Sequence, residues 1–407
     1  MKKEYKLLEE AKKVVLAYSG GLDTSVIVNW LKEQGVEEII CLSADLGQVK
    51  DVEKMEEKAL KSGASKFINV NLEKEFIEES CFMALKANAL YEDSYHLGTA
   101  LARGLIGKEL VKVYKKENAD LIVHGCTGKG NDQIRFELAI LAHDPDAKVI
   151  APWRFWDIKS RSDEIKYLKD HNIEIDFKED ESYSEDENIW HISHEGLDLE
   201  NPENAADFSK VLKWVKDPKD VPDEKKEISI EFSKGVPVKL DGKEYESVDL
   251  VKKLNKIGGD FGVGIDDLVE SRLVGMKSRG LYENPAAKIL YFAHKKLESV
   301  TLEKELLQYK QKLSLDYANL IYNGKEFSPL KKSMDAFINE SQESVDGVVK
   351  LSLYKGNIYL SGIKSDKSLF SEELATFEED DVYNQADATG FINLYGLSTK
   401  VHSKVNK

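Results

Sequence analysis

An apolar run, Val14–Tyr18, breaks at Ser-Gly-Gly-Leu-Asp-Thr-Ser and becomes apolar again at Val26. If the run is a strand of a parallel sheet, Ser19–Gly21 lies at its carboxyl end, where open α/β sheets bind ligands. Thr24 and Ser25 then open a helix whose first N–H groups carry partial positive charge. Gly20 and Gly21 permit positive φ and close approach of another group. With hydroxyls from Ser19, Thr24 and Ser25, the stretch forms a nest for phosphate oxygens. The bland alternative is a tight turn capped by Asp23 or Thr24. The string is neither a Walker loop nor a dinucleotide fingerprint. Asp23 would repel a phosphate unless a cation bridged them, so Mg²⁺ is implied.

Four further apolar runs, Ile39–Leu42, Lys66–Val70, Leu121–His124 and Lys148–Ala151, alternate with helical patterns. One pattern is Val26, Ile27, Trp30 and Leu31; another is Leu101, Leu105 and Val113. Unbroken apolar strands suit a sheet buried on both faces, and the alternation predicts a doubly wound α/β domain over residues 1–173. Residues 174–226 are rich in acids and loop formers and read as a long connection with little regular structure. Beyond it an α+β half is expected. It has strands at Glu227–Ser233 and Val236–Leu240, a helix at Ser247–Ile257 and a glycine-rich turn, "GGDFGVG". Helices follow at Pro285–Glu298, Leu302–Tyr322 and Leu330–Glu340, then a hairpin about Lys355–Gly356 and a last helix at Leu397–Val405.

The net charge of -16 argues against broad nucleic-acid binding. An anionic ligand therefore needs a local positive pocket. Cys41, Cys81 and Cys126 are too scattered for a disulfide framework or a metal site, and point to a reducing compartment. "MKKEYKLLEEAKK" has no apolar core of a secretory signal, and no apolar run approaches the ~18 residues that span a bilayer. A cytoplasmic protein without membrane partners is expected.

A second constellation, "HGCTGKGNDQIRFE" (His124–Glu137), follows the fourth strand and enters a helix with Ile134, Leu138 and Leu141 on one face. Asn131 and Arg135, four apart, point from one side. Thr127, Lys129 and the glycine N–H groups suit a carboxylate, and Asp132 suits an ammonium. Such a site fits an α-amino acid zwitterion; a glycine-rich turn with a surface salt bridge is the alternative.

"SGGLDTS" resembles the pyrophosphate loop of the ATP pyrophosphatases, which adenylate a substrate and release pyrophosphate. With "ALYEDSYHLGTALAR", "HGCTGKGNDQIRFE", "APWR", "YSEDENIWHIS", "GMKSRGLYENPA" and "DATGFI" in the same order from Ala17 to Ile392, the chain is similar to the argininosuccinate synthase family. That resemblance implies a nucleotide-binding domain, a synthetase/multimerisation domain over 174–385, a C-terminal oligomerisation segment over 386–407, and a homotetramer. It implies ligation of citrulline to aspartate with ATP, giving argininosuccinate, AMP and pyrophosphate through a citrullyl-adenylate. Ala17, Tyr18, Ser19, Gly20, Gly21, Leu22, Asp23, Thr24, Ser25, Ala44 and Gly125 match ATP-binding positions. Tyr95, Thr99, Asn131, Arg135, Ser184, Ser193, Glu270 and Tyr282 match citrulline contacts, and Thr127, Asn131 and Asp132 match aspartate contacts. Asp23, Lys129 and Asp132 are the candidate catalytic residues, with no protein-only metal site.

Tyr95, Thr99 and Arg103 fall at steps of four, one stripe of a possible helix. Alone, Glu270 would read as one more solvated acid and Tyr282 as packing. Departures from the family pattern are Ser94, Ala100, Gly104 and Cys126. Either Asp132, His124 or a substrate phosphate would take the proton of the aspartate amine. The rivals are a tRNA-thiolating relative, which needs a reactive cysteine and a basic face, and an AMP-binding module without chemistry, which has no use for "TGKGND".

Overall fold

The computed structural model describes residues 2–48, 51–171, 183–376 and 382–407. The first part runs α1 (Lys2–Glu10), β1 (Lys13–Ala17), α2 (Leu22–Glu33), β2 (Glu38–Asp45), α3 (Val52–Lys61) and β3 (Lys66–Asn71). A broken helix follows, α4 (Glu73–Glu75), a wide π turn at Phe76–Cys81 and α5 (Phe82–Ala87), then α6 (Gly98–Glu117), β4 (Leu121–Val123), α7 (Asp132–His143), β5 (Val149–Ile150) and α8 (Arg161–Asp170). The five strands form one parallel sheet in the order β3-β2-β1-β4-β5. The chain begins in the middle, moves outward, then crosses back. That leaves a crevice between the carboxyl ends of β1 and β4.

Alternation along β1 sorts its side chains between two cores. Val14 and Leu16 pack with Val26, Leu31, Met55 and Trp156 on one face, and Val15 packs with Leu110, Val111, Phe136 and Ile140 on the other. All three β1 residues are fully buried. This two-sided burial is the doubly wound α/β arrangement expected from unbroken apolar strands.

The rest runs β6 (Ser184–Asn188), β7 (His191–Glu195), α9 (Phe208–Val211), β8 (Lys226–Ser233), β9 (Val236–Leu240), β10 (Lys243–Glu244), α10 (Ser247–Asp260), β11 (Ile265–Ser271) and β12 (Lys277–Glu283). It continues through α11 (Pro285–Thr301), α12 (Lys304–Tyr322), α13 (Pro329–Ser341), β13 (Gly347–Tyr354), β14 (Asn357–Lys364), α14 (Glu372–Ala375), α15 (Asp387–Tyr395) and α16 (Leu397–Val405). Two antiparallel sheets result, β10-β9-β8-β13-β14 and β11-β12-β7-β6. The expected hairpin turns at Lys355 and Gly356, both at positive φ, as a two-residue loop requires. The expected terminal helix is α16.

Several expectations change. The stretch 174–226, of which 174–182 lies outside the described residues, is not a structureless connection. It contains the hairpin β6–β7, which completes the third sheet. Its strand "SEDEN" escapes notice because acids line it, while burial is carried by Ile189, Trp190 and Ile192 beyond it. Tyr95 does not share a helix with Thr99 and Arg103; α6 starts at Gly98, and Tyr95 bridges back to Tyr91. On α7 the buried face is Phe136, Ala139 and Ile140, whereas Leu141 is 46% exposed. Asn131 and Arg135 point inward and set that phase.

Helix α6 joins the two halves. Ala100, Leu101 and Leu105 enter the large core formed with α11 and α12, and Leu110, Val111 and Val113 pack under the parallel sheet. Gly104 faces the segment after α12 so closely that a Cβ there would lie 1.9 Å from Glu326 Oε2. Burial lifts the Glu326 carboxyl to about 7, against the pull of Lys331 and Lys108. Glycine to alanine inside a helix normally gains ~1 kcal/mol. Here Gly104→Ala is expected to cost about 1–3 kcal/mol by overpacking, and Glu326→Ala is expected to abolish that cost. Urea unfolding midpoints of the two single variants and the double variant check the cycle.

Candidate active site

The loop after β1 turns at Gly20, φ +74°, and α2 starts with Gly21 at its N-cap, where no side chain caps the helix. Its hydroxyls are tied together. Gly21 N–H donates to Ser19 Oγ at 3.2 Å, Ser19 Oγ lies 3.3 Å from Thr24 Oγ1, and Ser25 Oγ donates to Gly21 O at 2.9 Å. Ser25 is fully buried and also meets Tyr18 Oη. Expected as a phosphate donor, it instead braces the loop from behind. Lys58 Nζ donates to Gly20 O at 2.7 Å.

The loop opens on a cleft of about 700 Å³ at the carboxyl ends of β1, β2 and β4. Ala17, Tyr18, Ser19, Gly21, Leu22, Asp23, Thr24, Ala44, Gly125, Thr127, Asp132 and Ser184 line it. Gly20 and Ser25 do not, and Lys129 is exposed outside it. Gln48 donates to Ala44 O at 2.7 Å and accepts from Leu46 N–H at 2.8 Å, fixing the wall beyond β2. His124, also on the wall, is fully buried; its Nδ1 faces Cys126 N–H at 3.3 Å and its Nε2 faces Glu137 at 3.2 Å. The amide contact occupies the Nδ1 lone pair and puts the proton on Nε2. The Cys126 thiol is pushed far up, by burial first and Asp132 second, and so is unreactive.

Asp132, at the start of α7, sits between two guanidiniums. Arg103 Nε donates to Oδ2 at 2.9 Å and Arg135 Nη1 to Oδ1 at 3.1 Å. Burial would raise this carboxyl; Arg103 and Arg135 outweigh burial and hold it below the usual range. Arg103 also donates to Asp186 on β6 at 2.7 Å. Sequence reading gave Arg103 a place in a stripe but no role.

Behind Asp132 a polar cluster is closed by aromatic rings. Arg135 lies over the Tyr322 ring at 4.8 Å and donates to the Tyr322 carbonyl at 3.0 Å. Asn131 donates to Tyr322 Oη at 2.9 Å and accepts from Leu273 N–H at 3.0 Å. Tyr322 stacks on Tyr91 at 3.5 Å, and Tyr95 packs on Tyr282 at 5.0 Å. Tyr95 Oη accepts from Thr99 N–H at 3.1 Å, and Thr99 Oγ1 meets His191 Nε2 at 3.1 Å. Ser193 pairs with Tyr282 in register and faces the Asp186 carbonyl at 3.5 Å. Glu270 is 7% exposed, and its Oε2 has no hydrogen-bond partner among the described residues. Burial raises it to about 7, opposed by Arg135. Glu195, paired with Arg272, is raised by burial too.

The cluster thus gathers Tyr95, Thr99, Asn131, Arg135, Ser193, Glu270 and Tyr282 from five separate stretches. Ser184 stays with the cleft. Tyr322, Asp186, His191 and Glu195 were not anticipated; Tyr322 joins Asn131 across 191 residues, and no local pattern marks it. Among the departures, Ala100 is buried in the large core, and Ser94 Oγ donates to the Glu92 carbonyl.

Family models match almost the whole chain: arginosuccinate synthase N-terminal HUP domain over residues 13–174 and arginosuccinate synthase C-terminal domain over 183–402. An argininosuccinate synthase of Caldicellulosiruptor saccharolyticus is 55% identical over 395 residues, covering 97% of this chain and 98% of that protein. Argininosuccinate synthases of Clostridium botulinum and Acetivibrio thermocellus are 53% and 52% identical, each covering 97% or more of both chains.

The Glu270 carboxyl carries a pH signature. Its folded value, about 7, exceeds its ordinary 4.5, so the folded state favours the neutral acid. That advantage is complete below the unfolded value and is lost as pH rises to about 7. Thermal unfolding of Glu270→Gln is expected to show a shallower fall in midpoint between pH 4.5 and 7 than the unaltered chain shows.

Proposed function

The chain belongs to the argininosuccinate synthase family, and from that premise we propose how its residues divide the work. The reaction is a carbon–nitrogen ligation of arginine biosynthesis: citrulline and aspartate are joined with ATP to give argininosuccinate, AMP and pyrophosphate. The division of labour rests on one observation: the cleft and the polar cluster meet at Asp132, whose carboxylate is gripped from both sides.

ATP occupies the cleft, with its base toward Ala44 and its phosphates on Ser19–Thr24 and Gly125. Tyr18, Gly20 and Ser25 hold the loop's shape. Among the described residues no group of three or more His, Cys, Asp or Glu is suited to a metal. Asp23 on the cleft wall is a single carboxylate that shared phosphate oxygens would complete, which fits Mg²⁺. When bound there, the ion supplies positive charge against the phosphates.

Citrulline lies in the cluster. The Glu270 carboxylate, with an open oxygen, takes the α-ammonium, while Tyr95, Thr99, Asn131, Arg135, Ser193, Tyr282 and Ser184 fix the remainder. The ureido oxygen attacks the α-phosphorus, the α–β bridge breaks, and pyrophosphate leaves toward the Gly21 amide and the start of α2. Aspartate sits at Thr127, Asn131 and Asp132, with Lys129 closing over its carboxylates. Its amine attacks the activated carbon, and AMP departs with the former ureido oxygen. Asp132, held ionised by two cations, orients the amine but is a weak base. His124 has its Nδ1 lone pair engaged by Cys126. We therefore assign the amine proton to a phosphate oxygen of the adenylate. Most of the rate enhancement is positioning.

Three buried or half-buried cysteines without disulfides suit the cytoplasm, and among the described residues no helix is long and apolar enough to cross a membrane. We read residues 1–173 as the nucleotide-binding domain, 174–385 as the synthetase/multimerisation domain, and 386–407 as a segment that packs on other copies in a homotetramer. Phe391, Ile392, Leu394 and Tyr395 are each more than 60% exposed, which an intersubunit contact would cover.

Pyrophosphate release measured with ATP, citrulline and aspartate, each omitted in turn, tests the reading; release that ignores citrulline would refute it. Asp23→Asn and Lys129→Ala are each expected to slow turnover by about 10²-fold with unchanged unfolding temperature. Wild-type rates in either would remove that residue from the scheme.

A further inference from the structure

Helix α3 touches the phosphate loop from outside the cleft. Met55 and Lys58, three apart on one face of α3, both reach Gly20. A Cβ at Gly20 would lie 3.2 Å from Met55 Cγ, and Lys58 Nζ donates to the Gly20 carbonyl at 2.7 Å. The peptide joining Gly20 to Gly21 is trans. A planar trans peptide points its C=O and N–H in opposite directions. With the carbonyl pinned against α3, the Gly21 N–H must face away from it, and it meets Ser19 Oγ at 3.2 Å. Gly21 and Ser19 line the cleft, whereas Gly20 does not.

Two glycines in sequence have little to stop this peptide from flipping. A flip would aim a carbonyl oxygen at the phosphates in place of a donor. We propose that Lys58 is a positioning residue that locks the Gly20–Gly21 peptide with its amide on the cleft side, where it exchanges Ser19 Oγ for an oxygen of the departing pyrophosphate. The ammonium also polarises the peptide it binds, which strengthens the opposite N–H as a donor. Burial brings Lys58 down to about 8, so it is charged at neutral pH. Lys58 does not touch the anion; it acts through one peptide. The inference rests on reading Ser19–Thr24 as the pyrophosphate seat.

The test uses the full-length protein with Lys58→Met, which keeps the unbranched stem over α3, and Lys58→Arg, which restores a cation. Lys58→Met is expected to lower kcat by about tenfold or more, short of the 10²–10³ that loss of an oxyanion donor itself costs. Pyrophosphate should weaken as a product inhibitor by a similar factor. KM for citrulline and aspartate should stay near wild type, the unfolding temperature should not change, and Lys58→Arg should regain most of the loss. Unchanged kcat and pyrophosphate inhibition in Lys58→Met would overturn the inference. So would a loss that Lys58→Arg fails to recover, or one spread over all three substrates with a lowered unfolding temperature. The function reading fails separately, if the unaltered protein releases pyrophosphate without citrulline.

Discussion

One carboxylate, Asp132, fixes the relation between the two halves of the site. It lies at the head of α7, is held by Arg103 from α6 and by Arg135 one turn along its own helix, and through Arg103 is tied to Asp186 on β6. Removing one partner of this half-buried set leaves the remaining charges partly uncompensated. The cleft therefore cannot drift relative to the cluster behind it. In a reaction whose difficulty is to align three substrates, this alignment is the chief contribution of the fold.

A chain of net charge -16 that binds a nucleotide triphosphate poses an electrostatic problem. Its solution is local. Exposed acids more than about 8–10 Å away are screened by salt, whereas helix-start amides and hydroxyls act at hydrogen-bond distance. Three acids near the site are also occupied: Asp186 by Arg103, Glu185 by Lys213, and Glu137 by Arg154. Glu270, whose Oε2 is open, lies in the polar cluster behind Asp132, the place proposed above for an ammonium.

The legible parts of the sequence were those whose signal is local. The apolar strands and the Ser19–Ser25 turn could be read because burial on both faces and a glycine turn into a helix each leave a short-range pattern. Asn131 and Arg135 could be read because four residues make one helical turn. Glu270 and Tyr282 were found only through family resemblance, since a single acid or tyrosine has no pattern of its own. The hairpin β6–β7 went unread because its acids serve the cleft and contradict strand propensity. Tyr322 and Lys58 were invisible for a different reason: each acts on a residue far along the chain, through a contact that only the tertiary fold creates.

In the proposed scheme citrulline is adenylated in the shared cleft before aspartate takes part. Positional isotope exchange, with ATP carrying ¹⁸O in the bridge between its α and β phosphates, checks that order. Reversible cleavage lets the freed pyrophosphate rotate and scramble the label. Scrambling with citrulline present and aspartate absent is the expected result. No scrambling until aspartate is added, or scrambling without citrulline, would contradict it.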